Sequence, residues 1–146
     1  MKELEMKSAY PTFIKQSGKD FLVFVPDWEI YTEGSSFVDA INMARDAIGL
    51  SGIVKEDDGI EFPEMSSYED AIAKAKADAD EDFDFSTGIL TMVDVDFVEY
   101  RRQNERRSVK KNCTIPYWLN IEAERANINF SKVLQEALMV KLGVSR

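Results

Sequence analysis

The chain contains no histidine, and only one cysteine in 146 residues. Lack of histidine removes the commonest general base at neutral pH and the commonest metal ligand, which weighs against most enzymes. With Cys113 alone, no intrachain disulfide can form. No apolar run approaches the ~20 residues of a membrane span, and Met1–Tyr10 lacks a signal-peptide apolar stretch. These absences predict a cytoplasmic protein, without contact to a membrane, that needs no cofactor, metal or catalytic residue. Basic residues are scarce in one part of the chain only. Residues 1–100 hold 8 Lys and Arg against 23 Asp and Glu, a net −15, whereas residues 101–146 hold 10 against 4, a net +6. An acidic body with a basic third implies two partners of opposite charge, one for each end.

What is present suffices for one domain, or a compact domain with a small appendage, since 45% of residues are hydrophobic. Ser8–Lys15 and Asp20–Val25 are apolar, aromatic-rich runs separated by Gln16-Ser17-Gly18-Lys19, the pattern of a β-hairpin. Pro26-Asp27 ends the second strand, and Trp28–Thr32 can form a short third. Ser36 is placed to cap a helix, with Asp39 three residues on, and Phe37, Ile41, Ala44 and Ile48 make its buried stripe. The spacing ends that helix near Gly49. A second helix, from about Tyr68 to Asp80 and capped by Ser67, has a mostly alanine apolar side (Ala71, Ala75, Ala79). It is expected at the periphery.

The acidic run from Asp78 to Asp84 lacks the Gly and terminal Glu of a calcium loop, and reads as a solvated face. Gly88–Tyr100 is the longest strand candidate, with Val93, Val95 and Phe97 on one face and Met92, Asp94 and Asp96 on the other. Paired aspartates on a strand could hold a divalent metal for phosphodiester cleavage, or simply form the polar face of a sheet. Arg101–Ser108 is a charged stretch without a cap and the natural boundary, so the expected division is 1–100, a linker at 101–109, and 110–146.

The last segment reads as one strand (Lys110–Ile115), a helix opening at Pro116–Tyr117, a turn at Asn127-Ile128-Asn129, and a helix from Phe130 to about Leu142. Alternation puts Lys110, Asn112 and Thr114 on one strand face, and Cys113 and Ile115 on the other. The second helix carries Phe130, Val133, Leu134, Ala137, Leu138 and Leu142 as a single apolar stripe, with Asn129 as N-cap. A unit of about 35 residues is below the roughly 40 at which a lone domain is usually viable. Two copies pairing their strands antiparallel and interlocking their helices would supply the missing core. The ribbon so formed fits the major groove of B-DNA.

Lys110 to about Gly143 resembles the ribbon-helix-helix repressors: a polar-faced strand closed by Thr114-Ile115-Pro116, a helix, the Asn127-Ile128-Asn129 turn, and a helix opening Phe130-Ser131-Lys132. The family more often has Gly where Asn127 stands, but Asn tolerates the left-handed conformation. Carried over by position, the resemblance implies that Lys110, Asn112 and Thr114 read bases, and that Asn129, Ser131 and Lys132 clamp a phosphate.

Residues 8–65 resemble the HicB antitoxins through Tyr10-Pro11-Thr12-Phe13-Ile14, then Phe21-Leu22-Val23-Phe24-Val25-Pro26-Asp27, Thr32-Glu33-Gly34-Ser35, and Asp39-Ala40-Ile41 with Ala44. Pro63 to Ser67 also fits that family's Pro-x-x-Ser stretch. Trp28-Glu29-Ile30 departs from it, standing where a Leu-Pro-Gly-Cys-like stretch is common. The resemblance implies an α+β fold: a degraded RNase H-like β-β-β-α(-α)-β domain without nuclease activity, followed by the ribbon-helix-helix domain. It also implies a small, basic, RNA-cleaving HicA-like toxin as partner. Asp27, Trp28 and Glu29 are candidates for that contact, because a Trp beside acids can anchor an interface; Trp28 fits plain core equally well.

The expectation is therefore an antitoxin that neutralises its toxin by direct binding. It would repress its own operon as a homodimer, or a higher assembly of dimers, on palindromic operator DNA. The alternatives are a stand-alone repressor with a small-molecule-sensing N-terminal domain, and a metal-dependent nuclease using Asp94 and Asp96.

Overall fold

The computed structural model describes residues 7–105 and 107–144, and the chain divides into two compact units, Met1–Arg107 and Ser108–Arg146. In the first, β1 (Lys7–Ser17) and β2 (Asp20–Val25) form the expected hairpin, which turns through Gly18 and Lys19 with Gly18 at φ +64°. A 3-10 turn at Pro26–Trp28 then leads into β3 (Ile30–Gly34), which pairs with β2. β4 (Ile89–Asp96) pairs antiparallel with β1, Tyr10 facing Val93, so the sheet order is β3-β2-β1-β4.

Strand alternation sends Tyr10, Ile14, Val23, Val25, Val93 and Val95 to one face, where α1 (Phe37–Asp57) lays Ala40, Ala44 and Ile48 on them. Phe13 and Phe24 point the other way. Ala71 and Ala75 of α2 (Tyr68–Asp78) cover them, together with Phe85 of a second 3-10 turn. This corrects the peripheral placement expected for α2. Alanine buries little area, but its small side chain lets a helix approach closely, and both alanines are fully buried against the phenylalanines. Tyr31 adds a hydrogen bond to Asp78 at the end of α2. Ser36 and Ser67 cap α1 and α2 as expected, each accepting from the N–H three residues on.

Two further expectations change. α1 does not stop near Gly49 but runs on to Asp57, and closes with Gly59 at φ +69° while the Ile60 N–H reaches the Lys55 carbonyl. The strand read over 88–100 ends at Asp96, whose Oδ1 accepts from the Glu99 N–H and caps α3 (Phe97–Asn104). Residues 101–104, read as linker, are therefore the last turn of a capped helix. Both changes have one cause. A Cβ on Gly49 would stand 2.6 Å from the Tyr100 ring, and one on Gly52 would stand 2.5 Å from the Phe97 ring. The two glycines are the seat of α3, not a stop signal. Gly52→Val is accordingly expected to overpack this contact and cost about 1–3 kcal/mol. Urea denaturation checks this, and an unchanged midpoint would contradict the packing.

The second unit consists of α4 (Tyr117–Arg125) and α5 (Phe130–Leu142). Between them Asn127 takes the left-handed conformation, φ +57°, and the Ile128 N–H closes back on the Ala123 carbonyl at 3.0 Å. Residues 107–116 are in neither helix nor sheet. A strand at 110–115 was expected to need a partner strand from a second copy, and none pairs with it among the described residues. No helix among the described residues is long and apolar enough to cross a membrane.

Candidate nucleic-acid interface

Lys110, Asn112 and Thr114 are all exposed. The opposite side of the same stretch is no better covered, with Cys113 exposed and Ile115 41% accessible. In α5, Phe130, Val133, Leu134 and Leu138 share one stripe, and each keeps more than a third of its surface accessible. None of residues 107–144 is buried. The apolar stripe of α5 is therefore left open to solvent.

The start of α5 is built as a cap. Asn129 Oδ1 accepts from the Lys132 N–H at 3.0 Å, which leaves Phe130 and Ser131 N–H without an intrahelical acceptor. Ser131 and Lys132 are exposed beside them. Free N–H groups, a hydroxyl and an ammonium at a helix N-terminus can together hold a phosphate. Asn129 orients that turn through its side-chain oxygen, and its Nδ2 remains a donor.

The basic character read across 101–146 divides unevenly. Arg101 bonds Glu56 at 2.7 Å and Asp57 at 2.9 Å, Arg102 bonds Glu99 at 3.1 Å, and Arg107 bonds Glu105 at 2.8 Å. These arginines are paired within the first unit. Residues 108–146 keep 6 Lys and Arg against 3 Asp and Glu, a net +3. Sequence counting alone had no means of separating paired from free cations.

Of the three residues proposed for toxin contact, only Glu29 has the exposure expected; it sits at φ +51° after the 3-10 turn. Asp27 and Trp28 are turned inward, so Trp28 takes the core placement that the sequence left equally open, and Asp27 is not the exposed group it was expected to be. Trp28 is 8% exposed and packs on Tyr10, Phe62 and Phe97, with ring centroids 5.4 to 5.9 Å apart. The Asp27 side chain is fully enclosed. It accepts from Ser66 N–H at 2.9 Å, from Ser66 Oγ, and from Lys74 Nζ at 2.8 Å. It thereby ties the turn after β2 to the start of α2, while Tyr10 Oη donates to the Pro63 carbonyl at 2.8 Å and holds the preceding loop.

Burial alone would push the Asp27 carboxyl up, but the Lys74 ammonium and the Ser66 donors outweigh it and hold the group below the usual carboxylate range. A carboxyl depressed in the folded state stabilises fully above its unfolded pKa, and that contribution is lost as pH falls through the folded value. Asp27→Asn is therefore expected to lose about 1–3 kcal/mol at neutral pH. The variant should lose less further stability than the parent between pH 5 and the acid limit. Urea titrations at several pH values check this.

The two aspartates weighed for metal chemistry have structural work. Asp94 accepts from Arg45 Nη2 at 3.0 Å, and its own carbonyl accepts from Arg45 Nε at 2.8 Å. That guanidinium keeps the Asp94 carboxyl below the usual range. Asp96 caps α3 and lies 3.8 Å from Lys7 Nζ. Among the described residues, no three His, Cys, Asp or Glu side chains converge as a metal site would require. A hollow of about 260 Å³ lined by Phe97, Val98, Arg101 and Glu105 is smaller than the roughly 300–1,000 Å³ of ordinary small-molecule sites.

No family model and no curated protein matches the chain. Among solved structures, it is similar to a chain of a toxin–antitoxin complex from Streptococcus pneumoniae. The two are 25% identical with a TM-score of 0.57, over 92% of this chain and 99% of that one. Residues 1–107 cannot fill such a share, so the likeness runs into the C-terminal unit. It is also similar to the antitoxin HicB of Burkholderia pseudomallei, at 21% identity over 92% of this chain and 96% of that one, with a TM-score of 0.49. That second likeness is too loose to argue from. The pneumococcal match, over nearly the whole of both chains, is to a member of a toxin–antitoxin complex, the kind of assembly that the resemblance of residues 8–65 to the HicB antitoxins implies.

Proposed function

We propose that the chain neutralises a small, basic, RNA-cleaving toxin through its first unit. Through its second unit it pairs with another copy as a ribbon-helix-helix and represses its own operon. One observation carries the second half of this reading: none of residues 107–144 is buried, although α5 bears a continuous apolar stripe. A second copy supplies both missing parts. Its helices cover the stripe, and its residues 110–115 give the strand a partner. The paired ribbon then shows Lys110, Asn112 and Thr114 twice about a two-fold axis, matching a palindromic operator. Likeness to a chain of a toxin–antitoxin complex supports the first half, as does the acidic charge of the first unit.

Binding to the DNA upstream of the protein's own gene tests the reading. Asn112→Ala and Thr114→Ala are each expected to cost about 1–3 kcal/mol per lost base contact and to relax sequence preference. Lys132→Ala should weaken binding to all sequences alike and reduce the salt slope by about 1. Full affinity in the Asn112 variant would remove that residue from base readout.

A further inference from the structure

α1 has a second apolar row that nothing among the described residues of the first unit covers. Its inner stripe, Ala40, Ala44 and Ile48, faces the sheet, and Gly49 and Gly52 seat α3. Met43, Ala47, Leu50 and Val54 follow one another at i, i+4, i+7 and i+11, which places them on a separate, outward face. Leu50 is 57% and Val54 54% exposed. Two large aliphatic side chains left this open on a 21-residue helix form an unpartnered contact row.

Charge decides between occupants. Asp46, which accepts from Tyr100 Oη at 2.7 Å, flanks the row on one side, and Asp57 beside it is paired with Arg101 at 2.9 Å. The unit as a whole, residues 1–107, holds 12 Lys and Arg against 24 Asp and Glu, a net −12. A second copy brought against this face would set these fields against each other, and like charges across an interface oppose association. A small protein with net positive charge and an apolar patch of its own meets no such opposition, and the same field speeds its approach. We infer that the Met43–Val54 face of α1 is the docking surface for the small basic protein partner. This rests on the antitoxin reading above.

The test uses the full chain, purified from its own cells and examined by native mass spectrometry; the basic partner is identified by mass and prepared separately. Leu50→Lys combined with Val54→Lys places two cations on the row, at exposed positions where the fold should tolerate them. Tyr68→Lys, on α2 and 67% exposed, is the control. The expected result is a loss of partner affinity of at least about thirtyfold in the double variant, with the control and the thermal midpoint unchanged. Undiminished partner binding by the double variant would overturn the docking surface and leave the antitoxin reading standing. A double variant that binds the partner normally but forms smaller assemblies of the chain alone would assign the row to a second copy, and would also overturn the proposal. Absence of any basic protein at fixed stoichiometry would remove the antitoxin reading, and the proposal with it.

Discussion

If the copies pair as proposed, Leu138→Glu is expected to leave the chain monomeric where the parent chain dimerises, and to abolish the proposed binding to operator DNA. Leu138 lies in the middle of the α5 stripe and is 51% exposed in the single chain. In the proposed pair it is buried twice, once from each copy. Burying an unpaired carboxylate costs several kcal/mol per ion. Two of them, together with the lost leucine packing, should weaken the dimer at least about a thousandfold, equivalent to roughly 4 kcal/mol. DNA binding falls with it, because the ribbon exists only in the dimer and one copy presents half of the contacts. Sedimentation equilibrium and a DNA titration on the same preparation check both effects. A dimer that persists with normal DNA affinity would show that the copies do not meet through this stripe. The first unit should be untouched, so its unfolding serves as the internal control.

Trp28→Ala is expected to destabilise the first unit by about 3–5 kcal/mol, the range for removing a large aromatic side chain from a core. Tyr10, Phe62 and Phe97 surround the indole, and Lys55 Nζ stands 5.8 Å from its ring. Truncation would leave a cavity between the sheet, the loop after α1 and the start of α3. The thermal midpoint should fall by more than about 10 °C. A surface anchor would behave in the opposite way, with partner affinity lost and stability kept. Circular dichroism melts of the parent and variant chains without partner separate the two. A melt left unchanged would restore Trp28 to the surface role that its acidic neighbours first suggested.

Trp28 also shows where a one-dimensional reading stops. Tryptophan between aspartate and glutamate fits an exposed anchor and plain core equally well when only sequence neighbours are visible. Its real neighbours, Tyr10, Phe62 and Phe97, lie between 18 and 69 residues away in the chain. Gly49 misleads for the same reason. A glycine in a helical pattern ends the helix or admits a close neighbour, and only the position of α3 decides which. The alanines of α2 look weak by area, but they are what permits contact with Phe13 and Phe24.

Much of what short-range rules set was legible in the residues, although the Asp96 cap of α3 was read as continuing strand. The β1–β2 hairpin followed from two aromatic runs around Gly18. The serine caps of α1 and α2 and the asparagine cap of α5 followed from one side chain reaching a backbone N–H three residues on. Left-handed Asn127 followed from the resemblance to the ribbon-helix-helix repressors, which more often carry Gly at that position. Even the incomplete core of the C-terminal unit could be read, since an apolar stripe on too short a segment demands a partner. Long-range packing decided the rest: which face α2 covers, where α1 ends, that Asp27 is sealed by Ser66 and Lys74, and that Arg101 is paired within the first unit. Caps and turns depend on residues three or four apart, whose identities a sequence shows directly. Burial and ion pairing depend on segments brought together by the fold, and no local pattern encodes them.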